Sequence, residues 1–194
     1  MYIKYMSIVY IDNEISQIEN LYNRFLIPNF LADELKPLEI ILKLYEEGYY
    51  KVISMLNDDE TIAVAFLVSS KDKDSYLLDY FAVDMNNRSS GFGSSFLSYL
   101  KNEFGRNFPI IIETETINDS DNDRKRRQLF YVRNGAVITT FKALIFDCVY
   151  DIWYLSDSEF DNEYIIQKYE EIYKFMLGKE MYDNNCIIPY FSYE

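Results

Sequence analysis

The stretch Leu77–Phe104, LLDYFAVDMNNRSSGFGSSFLSYLKNEF, leaves this chain few architectural choices. Leu77–Val83 is an apolar run of strand type and Asp84–Asn87 is a polar turn. Arg88-Ser89-Ser90-Gly91-Phe92-Gly93 then leads into a helix whose apolar positions Phe96, Leu97, Leu100 and Phe104 share one face. A strand feeding a glycine loop and then a helix N-terminus makes an anion site. The backbone N–H groups of the loop lack partners, and the positive end of the helix dipole lies behind them. Glycine lets the backbone come close to a phosphate with no Cβ in the way. An ordinary strand-to-helix turn, whose glycines serve geometry alone, is the alternative reading of the same residues.

The segments on either side build a sheet around this stretch. Met1–Asp12 is β-rich, and Glu14–Phe25 has Ile15, Ile18, Leu21, Tyr22 and Phe25 at helical spacing until Pro28 breaks it. Asn29–Lys36 is looser. Pro37 favours the first turn of a helix carrying Leu38, Ile41, Leu42 and Tyr45, which stops near Gly48. Val52–Leu56 and Thr61–Ser69 flank the polar turn Asn57–Glu60, so a hairpin is expected, and Lys71–Asp74 turns into the strand Tyr76–Val83. After the helix, Ile110–Glu115 reads as a buried strand; the crossover makes it parallel to Tyr76–Val83. Asn118–Asp123 suits a helix N-terminus, and the helix through Arg124–Tyr131 ends at Asn134-Gly135. Ala136–Thr140 and Lys142–Tyr154 are strand-like. Ile165, Tyr169, Ile172, Tyr173 and Met176 mark an amphipathic helix, followed by an extended tail through Pro189.

Composition narrows the function classes. A chain of 194 residues suits one domain with a real core, and no run reaches the length of a membrane helix. The net charge of −13 argues against nucleic acid and is compatible with a cationic ligand, although solubility alone also accounts for it. The absence of histidine excludes any mechanism that needs an imidazole base. Cys148 and Cys186, in a chain without an export signal at its start, are expected to be thiols in a reducing compartment, which makes the cytoplasm the default.

The loop residues Arg88, Gly91 and Gly93 match the R/Q-x-x-G-x-G/A signature of the GNAT superfamily of N-acetyltransferases, and Asp79–Asp84 looks like the strand that precedes it there. A second stretch, Leu129-Phe130-Tyr131-Val132-Arg133-Asn134-Gly135-Ala136, resembles the family's F-Y-x-x-x-G-F motif. Ala136 replaces the usual aromatic, and Arg124 stands where members often carry Asn. The resemblance is strongest over about Thr61–Phe141. It implies one GNAT-like α/β domain over residues 1–194, with a mixed twisted sheet of six to seven strands flanked by helices. Residues 156–194 form a C-terminal helical extension and tail.

The resemblance also implies a chemistry: acetyl transfer from acetyl-CoA to a primary amine of a small molecule or peptide, by direct attack in a ternary complex. Arg88, Ser89, Ser90, Gly91, Phe92, Gly93 and Ser94 would cradle the pyrophosphate. The strand edge at Phe81, Ala82 and Val83 would pair with the pantetheine amides, and an N–H near Val83 would polarise the thioester carbonyl. Asp79 or Glu113 would take the proton of the ammonium, provided burial raises its pKa or water relays the proton, while Glu115 would reach solvent or bind substrate. Asp79 reads equally as a structural aspartate. Tyr131 would protonate the departing thiolate, with core packing as its other reading. Asp33 and Glu34 are candidate acceptor contacts or solvated loop charges. Arg124–Arg127 could meet a phosphate, but a solvated face balancing Asp119, Asp121 and Asp123 is the simpler reading. No metal, nucleic acid or membrane partner is expected, and the chain would be a monomer or a homodimer. A non-catalytic acyl-CoA-binding or regulatory domain is the alternative function.

Overall fold

The computed structural model describes residues 8–32, 34–116 and 122–190. The first residues of the expected N-terminal strand, the acceptor candidate Asp33, and Asn118–Asp121, including Asp119 and Asp121, lie outside them. The chain forms two compact units, one built from the chain up to Val68 with Asp79–Phe96, the other from Ser69–Leu78 with everything from Leu97 onward.

In the first unit, strand β1 (Ile8–Asp12) leads to helix α1 (Ile15–Leu21), which continues as one π-helical turn through Tyr22–Leu26. Ile18, Leu21 and Phe25 are the buried face of this segment. Helix α2 (Leu38–Glu46) starts after Pro37, which occupies the N-cap, and buries Ile41 and Leu44. Strands β2 (Tyr50–Asn57) and β3 (Glu60–Ser69) form the expected hairpin, with Tyr50 opposite Val68. Both residues of its turn, Asp58 and Asp59, have positive φ (49° and 66°). That geometry matches the right-handed strand twist and is one aspartate tolerates. β1 pairs antiparallel with β2. Strand β4 (Tyr76–Val83) and helix α3 (Phe92–Phe104), joined by a 3-10 turn at Met85–Asn87, each belong partly to both units.

In the second unit, the start of β4 pairs in parallel with β5 (Ile110–Glu115) at only two positions, Tyr76 with Ile110 and Leu77 with Ile111. β5 then pairs antiparallel with β7 (Cys148–Leu155), β7 with β6 (Val137–Ile145), and β6 with β8 (Cys186–Tyr190). Helix α4 (Asn122–Arg133) ends at Gly135, whose φ of 82° lets Ala136 N–H reach the Tyr131 carbonyl at 3.0 Å. Helix α5 (Asn162–Leu177) buries all five residues of the expected stripe, and α6 (Lys179–Asn185) follows Gly178.

Among the described residues there are six α-helices, and the strand order is β1-β2-β3-β4-β5-β7-β6-β8, a mixed sheet. It has eight strands where six or seven were expected. The extra strand is β8, whose Cys186-Ile187-Ile188 run was read as an extended tail. Its partner β6 lies more than 40 residues back in the chain (Ile145 opposite Cys186), so only tertiary pairing reveals it. The β6–β7 boundary also moves. The turn sits at Phe146-Asp147, both with positive φ (45° and 67°), and not near Phe141. Phenylalanine is not a turn residue by chemistry, so no local signal marks it.

Candidate functional site

The loop ahead of α3 has the geometry its sequence predicts. Gly91 has φ of 84°, and a Cβ there would meet nothing within 4 Å. Glycine is therefore needed for backbone conformation while the space above it stays open. Ser89 is also left-handed, with φ of 63°. The first helical bond runs from Ser95 N–H to the Gly91 carbonyl at 3.0 Å. The N–H groups of Phe92, Gly93 and Ser94 precede it and have no intrahelical acceptor. Arg88 through Gly91 and Ser94 are solvent-exposed. Three aligned donors at the positive end of a 13-residue helix fit a phosphate group.

The Arg88 side chain turns back towards its own strand. Its Nε donates to the Val83 carbonyl at 3.2 Å, and its Nη2 donates to Asn29 Oδ1 at 2.6 Å. Asn29 is held in turn by its own amide, which donates to the Phe25 carbonyl at 2.7 Å. Asn29 carries no sequence signal of function; only this contact singles it out.

β4 supplies a directional edge. Asp84 N–H donates to the Ile62 carbonyl of β3 at 2.8 Å. Because strand residues alternate between their two neighbours, the N–H and C=O groups of Val83 and Phe81 point away from β3. The β5 ladder stops at Leu77. Ala82 is buried, while Phe81 and Val83 are half-buried. The Phe81 ring packs against Phe96 of α3, centroid to centroid 5.5 Å, which ties the strand to the helix behind the loop.

Asp79 lies four residues before Val83 in the same strand, with its side chain 1% exposed. Both carboxylate oxygens are occupied. Oδ1 accepts from Lys36 Nζ at 2.5 Å, and Oδ2 accepts from the Tyr50 hydroxyl. Burial and then the Asp79 charge push the Tyr50 phenol well above its ordinary pKa, so it stays protonated as the donor. The Lys36 ammonium also lies 5.5 Å from the Tyr80 ring centre. Neither Lys36 nor Tyr50 was legible as a partner of Asp79, because they come from 43 and 29 residues away.

The remaining candidates sit in the second unit. Glu113 of β5 accepts on one oxygen from the Tyr169 hydroxyl and from the Tyr173 hydroxyl at 2.5 Å, both on α5. Glu115 binds Arg124 at 2.7 Å and Arg127 at 3.5 Å. Those arginines therefore pair with β5; in the expected acidic loop, Arg126 meets Asp123 at 3.2 Å. Tyr131 is buried, and burial pushes its phenol up to about 12, with Arg127 pulling weakly the other way. Cys148 and Cys186 are both thiols. Among the described residues no helix is long and apolar enough to cross a membrane.

No family model and no curated protein matches this sequence. Solved structures do match its shape. One is a protein assigned as a GNAT-family acetyltransferase from Bacteroides thetaiotaomicron, with TM-score 0.68 and 18% identity, covering 84% of this chain and 94% of that one. The ribosomal-protein-S18-alanine N-acetyltransferase of Escherichia coli aligns with TM-score 0.55 and 14% identity over 79% of this chain and 97% of its own. A protein assigned as a streptothricin acetyltransferase from Bacillus anthracis, in complex with acetyl coenzyme A, aligns with TM-score 0.51 and 16% identity over 79% and 99%. With the loop at Arg88–Ser94 and the β4 edge at the places the sequence predicts, the fold of this chain is the fold of the GNAT acetyltransferases.

Proposed function

We propose that this chain is an acetyltransferase that uses acetyl-CoA and an amine acceptor. The observation that carries this reading is the exposed loop at Gly91, with three aligned N–H donors, next to a strand whose Val83 groups face away from β3. Acetyl-CoA would supply a thioester whose C–S bond breaks as the amine nitrogen bonds to the acetyl carbon. The N–H groups of Phe92, Gly93 and Ser94 would hold its pyrophosphate. The groups of Phe81 and Val83 would pair with its amide-bearing arm, and the Val83 N–H would stabilise charge on the carbonyl oxygen. Tyr131 keeps the role of proton donor to the sulfur that its motif position implies, since a phenol carries its proton at neutral pH.

Asp79 and Glu113 are assigned to holding structure and not to removing a proton. Each already accepts hydrogen bonds from two buried or half-buried donors, and a base must give those up to act. The acceptor then enters as the neutral amine or loses its proton to water. The same crowding of both carboxylates favours a second reading, a domain that binds acyl-CoA without turning it over.

Calorimetry with acetyl-CoA tests the binding common to both readings; absence of any binding sinks both. Release of CoA thiol with a panel of primary amines separates them. Turnover that climbs with pH in step with the free-amine fraction of the acceptor supports the enzyme without a carboxylate base. A plateau set by a carboxylate, abolished in Asp79→Asn, returns Asp79 to the role of base.

A further inference from the structure

The connection from Ile27 to Pro37, between the π-helical turn and α2, is fastened to the β4–α3 stretch at both ends. At its start, Asn29 Oδ1 accepts a hydrogen bond from Arg88 Nη2 at 2.6 Å, while the Asn29 amide donates to the Phe25 carbonyl. At its end, two phenols and a carboxylate meet Lys36. Its ammonium sits on Asp79, its N–H donates to the Tyr80 hydroxyl at 2.8 Å, and its carbonyl accepts from the Tyr22 hydroxyl at 2.9 Å. The Tyr80 hydroxyl donates a hydrogen bond to the Glu34 carbonyl at 3.0 Å, and its ring packs edge-on against Phe30 at 5.1 Å. The described residues of this connection have little regular structure and are held in part by side chains of the loop and strand that would bind acyl-CoA.

We propose that Asn29 and Lys36 are positioning residues that make this connection and the acyl-CoA loop one coupled unit. Asn29 aims the Arg88 guanidinium across the Val83 carbonyl, and Lys36 holds the far end of the connection on β4. The physical reason is entropy. Arg88 is exposed and long, and leaving it in one rotamer is costly unless fixed partners such as Asn29 and Val83 hold it. A loop that meets a phosphate with Arg88 already aimed loses less freedom on binding than one that must order it. Coupling runs both ways, so a ligand on the loop steadies the connection through Asn29.

This inference rests on the acyl-CoA-binding reading, and its test separates the two. Coenzyme A binding is measured by calorimetry, and amide exchange over Ile27–Pro37 is followed with and without coenzyme A. The wild-type chain is expected to gain protection over that connection when coenzyme A binds. In Asn29→Ala the affinity drops about fivefold, as expected for losing one partner of a charged donor. The loop at Gly91–Ser94 is still protected there, while protection of the connection is lost. Lys36→Arg keeps the ion pair and wild-type exchange; Lys36→Met raises exchange at Glu34–Lys36 and lessens the protection that coenzyme A brings to the connection there. Wild-type affinity together with ligand-induced protection of the connection in Asn29→Ala overturns the proposal. If the wild-type chain binds no coenzyme A, the acetyltransferase reading fails by itself. The clasps are then judged in the ligand-free chain, where unchanged exchange in both Asn29→Ala and Lys36→Met overturns them.

Discussion

Each unit holds a carboxylate on a strand, and the donors that reach the two differ in kind. Asp79 in the first unit is neutralised by an ammonium, with a phenol on its other oxygen. The described partners of Glu113 in the second are two phenols on a single oxygen. A cation removes the charge, whereas hydroxyls only solvate it. The surroundings still feel both charges: after burial, that of Asp79 helps push the Tyr50 phenol well above its ordinary pKa. The Glu113 charge helps push the Tyr169 phenol well above its ordinary pKa and also raises the Cys186 thiol, after burial in each case. A carboxylate on a strand of this fold is therefore not a base by virtue of its place. What it is tied to decides.

The largest test of that contrast removes one donor from each site. Lys36→Met leaves a buried carboxylate without its cation and is expected to cost about 3 kcal/mol in urea unfolding. Tyr173→Phe removes one of two neutral donors and should cost about 1 kcal/mol. Equal losses would break the comparison. Asp79→Asn combined with Lys36→Met should recover part of the first loss, since no lone charge is then left behind.

Tyr131 provides a phenol raised mainly by burial, without a carboxylate as its cause. Its folded value of about 12 lies above the ordinary 10, so the folded state holds the proton more tightly. The stability this supplies is complete below about pH 10 and is lost as pH rises towards 12, amounting to about 3 kcal/mol. Tyr131→Phe should abolish that part of the alkaline loss while leaving stability at pH 7 nearly unchanged. A wild-type alkaline slope retained in the variant would show that Tyr131 is not its source.

Conversion of each carboxylate to its amide gives a smaller difference. Asp79→Asn faces an ammonium with a neutral group, but Glu113→Gln still offers an oxygen to two hydroxyls. The first should cost about 1 kcal/mol more than the second. The smallest effect concerns Cys186, whose thiol is pushed up to about 11, first by burial and then by Glu113. Glu113→Gln should lower that value slightly, seen as alkylation by iodoacetamide that sets in at lower pH. An unchanged profile would leave burial as the whole cause.

Much of the fold could be read along the chain because its signals are local. Tyr76–Val83 and Ile110–Glu115 match their observed bounds, and Gly91 and Gly135 have the positive φ that their places after β4 and at the end of α4 require. Turns carried by unsuitable chemistry were not legible, as at Phe146-Asp147. Strand β8 was missed because an isolated apolar run does not say which strand it will meet. The site divided in the same way. Arg88 and the glycines stood in a motif, whereas Asn29, Lys36, Tyr50, Tyr169 and Tyr173 did not.

The sequence by itself determined that β4, the glycine loop and α3 would present backbone donors in a row, since spacing, glycine and helix polarity are properties of neighbouring residues. Only the tertiary structure decided what the charged side chains of that stretch do. Lys36 reaches Asp79 across 43 residues, and Asn29 reaches Arg88 across 59. Neither pairing leaves a trace in spacing or periodicity. The first pair closes on a carboxylate whose side chain is 1% exposed, and the second stays at the surface, where Arg88 turns back to its own strand.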